Sequence, residues 1–133
     1  MGRIVALDHG EARCGVAVSD PTGTLATPLA AVERPDTEHG LAAVARLIEE
    51  QQAERVLVGL PLTLAGDEGM QARRARVFAD RLGRRLSIPV ELQDERLTTR
   101  LAERTGGGAS ADSRAAAHLL ESYLARQAEP SAG

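Results

Sequence analysis

The sequence predicts an α/β domain in which a mixed five-stranded sheet is flanked by helices. Two observations support this class: the first third of the chain contains short apolar runs of strand length, and amphipathic helical patterns alternate with further strands from residue 38 onward. With 133 residues and 43% apolar composition, the chain can build one hydrophobic core. We therefore expect one domain over residues 1–126 and a disordered tail over 127–133.

Two apolar runs around a glycine-containing turn open the chain. The first covers residues 4–7 and ends at Asp8, and the second covers 16–18. Runs this short on either side of a glycine turn predict a β-hairpin. A third extended segment covers 24–32, and its Pro28 predicts an edge strand or a bulge because proline cannot donate to a strand ladder.

Helix and strand patterns then alternate to the end of the chain. Apolar residues at helical spacing predict a helix over 38–52, and residues 55–59 form a short buried strand. An arginine-rich helix follows, and its apolar face consists of Ala75, Phe78, Leu82 and Leu86. The remaining predicted elements are a strand over 89–92, a helix over 95–104, a glycine hinge at 106–108 and a final helix carrying Ala116, Leu119, Leu120 and Tyr123.

The charge distribution restricts how this chain could bind nucleic acid. Its net charge is −3, so bulk charge does not favour a polyanion. All 16 basic residues are arginines, and seven of them fall between Arg73 and Arg96, so phosphate binding would have to come from a local patch. Phe78 and Tyr123 are the only residues with a phenyl or phenol ring, which argues against a base-stacking platform.

Cysteine usage and hydropathy predict a cytoplasmic protein. Cys14 is the single cysteine, so no internal disulfide can form, which is typical of a reducing compartment. No stretch approaches the roughly 18 consecutive apolar residues of a membrane span. The first residues also lack a signal-peptide pattern.

Asp8 is the first candidate functional residue, because an acid at the inner end of a buried strand needs a cationic partner. A hard divalent cation would supply one, since such ions prefer carboxylate oxygens. The alternative is that the Asp8 side chain caps the turn that follows it. The segment alone leaves both interpretations open.

Three further acids lie at the ends of predicted elements. Asp94 and Glu95 directly follow the last strand, where Asp94 could cap the next helix and Glu95 could favour its dipole. Asp112 could likewise occupy the first turn of the last helix behind a Ser110 cap, but its spacing to Ala116 turns it toward the sheet. A metal ion would explain an acid on that face.

Carboxylates without cysteine or a histidine set favour Mg²⁺ or Mn²⁺ over zinc. Two such ions can clamp the attacking and leaving oxygens of a phosphodiester. The three histidines do not form a ligand set, and we expect His9 to be a turn residue. Arg96, Arg100 and Arg104 share one helical face, which is either a solvated, ion-paired surface or a phosphate-binding track.

Taken together, these motifs resemble one known family. The segments that carry the resemblance are, in chain order, Asp8-His9-Gly10 with Arg13, Gly15, Ala17 and Ser19-Asp20; Val58-Gly59-Leu60-Pro61; Phe78-Ala79; Asp94-Glu95-Arg96-Leu97-Thr98-Thr99; and Asp112-Ser113 with Ala115-Ala116, Leu120 and Tyr123-Leu124. The family is YqgF (RuvX), the proposed pre-16S rRNA nucleases, also described as Holliday junction resolvase-like. The match covers residues 3–126, and the ordered set is specific although each piece is weak.

The resemblance implies an RNase H-like fold and a bacterial cytoplasmic nuclease. It implies hydrolysis of RNA at the 5′ end of 16S ribosomal RNA precursors with two divalent ions, Mg²⁺ or Mn²⁺. By position, Asp8, Glu95 and Asp112 resemble the family's three metal ligands and would be the catalytic residues. Arginines would hold the nucleic-acid backbone, and the candidates are Arg13, Arg73, Arg74, Arg96 and Arg100.

Two alternatives remain open on the sequence. One is a Holliday junction resolvase that cuts branched DNA as a homodimer, and the other is a non-cleaving protein of the same fold that binds nucleic acid or the ribosome. One departure from the family pattern is the segment before the third acid, which commonly carries a lysine there. Here residues 106–111 contain no cation, and Arg114 is a hypothetical substitute.

Overall fold

The computed structural model describes residues 2–95 and 111–128. Its strands are β1 (Arg3–His9), β2 (Arg13–Ser19), β3 (Ala26–Glu33), β4 (Ala53–Leu60) and β5 (Val90–Asp94). Its helices are α1 (Glu38–Glu50), α2 (Met70–Arg85) and α3 (Ala111–Ala128). The five predicted strands are all present. The predicted helix over 95–104, from residue 96, and the glycine hinge at 106–108 lie outside the described residues.

The strands form one mixed sheet in the order β3-β2-β1-β4-β5. The first three strands pair antiparallel, whereas β4 runs parallel to both β1 and β5. The predicted fold class, a mixed five-stranded sheet flanked by helices, is therefore confirmed. Pro28 lies in β3, which is an edge strand, as its missing N–H group required.

Alternation along β1 sends its side chains to two separate cores. Val5 and Leu7 pack with Phe78 of α2 and with α1 on one face. Ala6 packs on the opposite face, with Ala17 of β2 and the apolar side of α3. The α3 core contains small side chains from both the strands and the helix, so the helix lies close to the sheet.

The observed bounds of helices α1 and α3 differ from the predicted ones by only a few residues. Helix α1 begins at a Thr37 cap, whose side-chain oxygen accepts the N–H group of Gly40 at 3.0 Å. Helix α3 continues through Ala128, two residues into the segment predicted as a tail, and residues 129–133 lie outside the described part. In residues 2–95 and 111–128, no helix is both long and apolar enough to cross a membrane.

Candidate active site

Asp8 lies near the carboxyl end of β1, on the sheet face that α3 covers. Ile4 and Ala6 contact the α3 core, and Asp8 continues this even-numbered series. Asp8 is partly buried. The position therefore combines a carboxylate, restricted access to water and a neighbouring helix.

A glycine lies beside Asp8 on each neighbouring strand. Gly15 of β2 is the cross-strand partner of Asp8. Gly59 of β4 comes one residue after Val58, which pairs with Leu7. Because neither glycine has a side chain, the neighbouring strands leave space on both sides of the Asp8 carboxylate for groups from other elements.

Parts of two other acidic residues fill the space above these glycines. A Cβ atom on Gly15 would overlap the main-chain carbonyl oxygen of Asp112, and a Cβ atom on Gly59 would overlap the Oε2 atom of Glu95. Asp8 thus has Asp112 on one side and Glu95 on the other. The structure brings together the three acids that the sequence places on three separate elements.

Glu95 reaches this position because β5 runs parallel to β4. Asp94, the last residue of β5, pairs with Leu60, and the N–H group of Glu95 donates to the Leu60 carbonyl oxygen at 3.3 Å. The Gly59 surface then leaves room for the Glu95 side chain to lie flat against the sheet, next to Leu119 of α3. The parallel register therefore delivers the second acid to the edge where β1 ends.

Electrostatics confirm that the acids affect one another. Burial, reinforced by the charge of Asp112, raises the pKa of Asp8 to about 6. Burial also raises the pKa of Glu95 to about 7, and the charges of Asp8 and Asp94 add to this rise. Both shifts arise first from burial, and the charges of the neighbouring carboxylates add to them.

Asp112 occupies the first turn of α3, as predicted, and has a cationic neighbour. The Nε atom of Arg13 donates to its Oδ2 atom at 3.2 Å. Arg13 begins β2, and its side chain is 54% exposed, so this ion pair is open to solvent. The guanidinium group of Arg13 is therefore within reach of both the acid cluster and a molecule arriving from outside.

The donor chemistry at this site suits a hard divalent cation. Three carboxylates are available, without a thiolate or an imidazole among them. Two of these acids hold their protons more tightly, first because they are buried and then because neighbouring carboxylates repel the charged form. Among the residues that the structure describes, no three acidic, histidine or cysteine side chains already surround one point as ligands. Binding a cation would therefore require the carboxylates to turn toward it.

The predicted nucleic-acid-binding arginines have different surroundings. Arg74 of α2 donates to Glu11 at 3.2 Å and so touches the β1–β2 turn that begins two residues after Asp8. Arg73 lies beside it, at a surface concavity of about 290 Å³ that is also lined by Met70 and Val77. Arg96 and Arg100 lie outside the described residues, as does Arg104.

His9 does not lie in the turn as predicted. It is the last residue of β1, and its ring is buried against Phe78 with a centroid distance of 4.8 Å. Its Nε2 atom is 2.8 Å from Oδ1 of Asp36. The side chain faces the α1 and α2 side of the sheet, opposite the acids, because β1 alternates.

Gly59 and Ser113 have individual roles at the site that the sequence pattern did not predict. Ser113 is fully buried, and its Oγ atom accepts the N–H group of Val16 in β2 at 3.2 Å. A glycine directly after a buried apolar run, as in Val58-Gly59, was the available signal for a close approach by another group. No comparable signal exists for Ser113, whose partner is 97 positions away.

Solved structures share this fold. RuvC of T. thermophilus in complex with a Holliday junction substrate matches with a TM-score of 0.56 and 19% identity over 96% of this chain and 97% of that one. A fowlpox virus resolvase bound to Holliday junction DNA matches with a TM-score of 0.52 and 12% identity, over 96% and 99% of the two chains. The fold is thus RNase H-like.

Sequence relatives are more similar. A protein of Chloroflexus aurantiacus, named as a proposed pre-16S rRNA nuclease, is 42% identical over 96% of this chain and 90% of its own length. A protein of Rhodococcus opacus with the same name is 44% identical over 92% of this chain and 77% of its own length.

Fold, acids and relatives together define a nuclease with an RNase H-like fold. The family profile described as RuvX, Holliday junction resolvase, matches residues 2–126. The chain belongs to the RuvX family, as the motifs indicated, and its substrates are nucleic acids.

Proposed function

We propose that this enzyme hydrolyses RNA phosphodiester bonds and processes the 5′ end of the 16S ribosomal RNA precursor. The observation that carries the proposal is the meeting of Asp8, Glu95 and Asp112 over two glycines. The names of the relatives support ribosomal RNA as the substrate. The proposal places the enzyme in the cytoplasm, as a monomer or homodimer, with ribosomal precursor particles as the source of the RNA.

The three acids would act as ligands for two divalent ions, Mg²⁺ or Mn²⁺, because such ions prefer carboxylate oxygens. Such ions would lower the pKa of water and offset the charge that develops on the phosphorus centre. Asp8 would contact the ions from the centre of the cluster, since Glu95 and Asp112 flank it. The raised pKa values of Asp8 and Glu95 would fall on binding, because the cation stabilises the charged form of each carboxylate.

The arginines near the acids would hold the RNA backbone without reading its bases. Arg13 lies beside Asp112 and is exposed, so it could contact a phosphate next to the bond that is cut. Arg74 reaches the β1–β2 turn from α2, on the opposite face of the sheet, and Arg73 lies beside it, so both would contact the RNA backbone farther from the acids. Arg96 and Arg100 belong to the proposal by sequence position.

A second candidate is resolution of branched DNA by the same acids. The family description favours it. Cutting two strands of a junction symmetrically would require two copies of the chain, whereas trimming a single RNA end would not. The two candidates therefore differ in substrate and in the oligomeric state of the active enzyme.

The test is cleavage of a precursor 16S RNA fragment and of a four-way DNA junction side by side, with Mg²⁺ or Mn²⁺. We expect the wild-type protein to cut the RNA and Asp8→Asn to reduce cutting to background. Asp67→Asn, the same change at an exposed loop acid, should cut like wild type. Cutting of the junction alone would favour the resolvase. Absence of cutting on both substrates would contradict the nuclease proposal and favour a binding protein.

A further inference from the structure

The first turn of α3 rests on β2 at a step in the sheet. The β2–β3 pairing moves from Cys14 opposite Val32 to Val16 opposite Leu29, so three positions of β3 face two of β2. Gly15 lies at this step and contacts the main chain of Asp112 and Ser113. The irregular point of the sheet is therefore also the place where the helix begins.

A buried hydrogen bond joins the helix to that step. The N–H group of Val16 donates to Oγ of Ser113 at 3.2 Å, and the Ser113 residue is 0% exposed. Ser113 directly follows Asp112, one of the acids of the proposed site. A hydrogen bond shielded from water is stronger electrostatically than an exposed one, and breaking it leaves a buried donor without that acceptor.

The exposed ion pair of Asp112 does not hold the start of α3 against β2 as this hydrogen bond does. Arg13 holds the Asp112 carboxylate from the solvent side, where the guanidinium group can exchange partners. It contacts the side chain of Asp112, whereas the Ser113 hydrogen bond joins the first turn of the helix to the main chain of β2. Helix termini fray, whereas a metal ligand must be held to within roughly 0.5 Å.

We propose that Ser113 is a positioning residue, which anchors the first turn of α3 to Val16 and thereby holds Asp112 opposite Asp8. The inference rests on the proposed function, since it assigns Asp112 to the metal site. Gly15 supplies the close approach and Ser113 supplies the bond, so the pair sets both the distance and the orientation of the helix end.

The first test replaces the hydroxyl and follows the anchor itself. In metal-free Ser113→Ala, the amide hydrogen of Val16 should exchange with solvent faster than in wild type, because its acceptor is gone. Ser122→Ala makes the same change at a half-buried position of the same helix and should leave this exchange unchanged. Equal exchange in wild type and Ser113→Ala would overturn the inference.

The second test follows the metal and the reaction. Titration with Mn²⁺ should show binding about 10- to 100-fold weaker in Ser113→Ala than in wild type or Ser122→Ala, the loss typical of removing a group that orients a ligand. In cleavage of the precursor RNA fragment, kcat should fall while KM stays near the wild-type value.

The outcomes separate the inference from the proposed function. Mn²⁺ binding that is equal in wild type and Ser113→Ala would overturn the inference alone. A wild-type protein that binds no Mn²⁺ would overturn the proposed function, and the role of Ser113 at that site with it. If Ser113→Ala does not fold, Ser113→Cys keeps the shape of the side chain with a slightly larger sulfur atom that is a weak acceptor, and the same Val16 exchange and Mn²⁺ titration apply to it.

Discussion

On one face of the sheet, α1 and α2, with Phe78, pack against valines and leucines of the strands. On the other face, α3 packs against Ala6, Ala17 and Leu57, and its first turn lies on Gly15. Large interlocking side chains on the first face bury apolar area and supply stability. Small residues on the second face let a helix approach closely, and the acids collect where that face ends. The alternation of one strand thus separates the stabilising face from the chemical one.

The largest expected effect comes from removing the largest fully buried side chain of the stabilising face. Phe78 is fully buried, so Phe78→Ala should lower the free energy of unfolding by about 3–5 kcal/mol through lost burial and a cavity. Urea unfolding measures this loss. Val77→Ala, at the exposed neighbouring position, should cost less than about 0.5 kcal/mol. Equal losses in the two variants would contradict the assignment of stability to this face.

The next largest effect comes from adding a methyl group to the chemical face. In Gly15→Ala the new Cβ would meet main-chain atoms of Asp112 and Ser113, which cannot turn aside, so the start of α3 must move. We expect a loss of about 1–3 kcal/mol, again by urea unfolding. Gly83→Ala is the matched control: its Cβ would make an ordinary 3.9 Å contact with Val90, and the better helix propensity should stabilise by up to about 1 kcal/mol.

Gly59→Ala sharpens that contrast, because the group it would meet is the mobile end of a side chain. The Glu95 carboxylate can swing away, so the stability loss should be smaller than for Gly15→Ala. RNA cleavage should nevertheless fall, since Glu95 would leave its place beside Asp8. If Gly15→Ala proves no less stable than Gly59→Ala, the close contact between α3 and β2 is not as described.

The smallest effect is a dependence of stability on pH. The folded pKa of Asp8, about 6, lies above its ordinary value of 3.8, and that of Glu95 is raised to about 7. The folded protein therefore binds more protons than the unfolded chain in this range, and without divalent ions its stability should fall as pH rises from about 4 through 7.

Asp8→Asn removes the contribution of Asp8 and also lowers the pKa of Glu95, since the charge of Asp8 adds to the Glu95 shift. At pH 8 without metal, the variant should be more stable than wild type, by on the order of 1 to 2 kcal/mol after allowing for partial exposure. Thermal unfolding at pH 4 and pH 8 measures the difference, and Mg²⁺ should narrow it by stabilising wild type alone. A wild-type stability that rises between pH 4 and 7 would show that the acids are paired rather than repelling one another.

Much of the fold was predictable from local pattern. The opening hairpin, the Pro28 edge strand and the arginine-rich helix each follow from periodicity or from the chemistry of single residues, which neighbours along the chain determine. His9 was mispredicted because a residue beside glycine reads as a turn, whereas the ladder with Cys14 extends β1 to include it. Pairing with β2, the next strand of the hairpin, outweighed the preference of the glycine turn.

The candidate site was predictable only as a set of residue types. The acids Asp8, Glu95 and Asp112 could be chosen from their positions at element ends and from the family resemblance. The flanking of Asp8 by Gly15 and Gly59 depends on the register of two different strand pairs. Register is a property of the assembled sheet, so no single segment could reveal it.

The order of residues specified which segments become strands and helices, and that one strand would end in a carboxylate, since these features arise from interactions a few positions long. The arrangement that makes the carboxylate useful arose on folding. Ser113 meets Val16 across 97 positions, and Glu95 lies over Gly59 because two parallel strands align. Such contacts form only when the packing of α3 and the pairing of the strands are satisfied together.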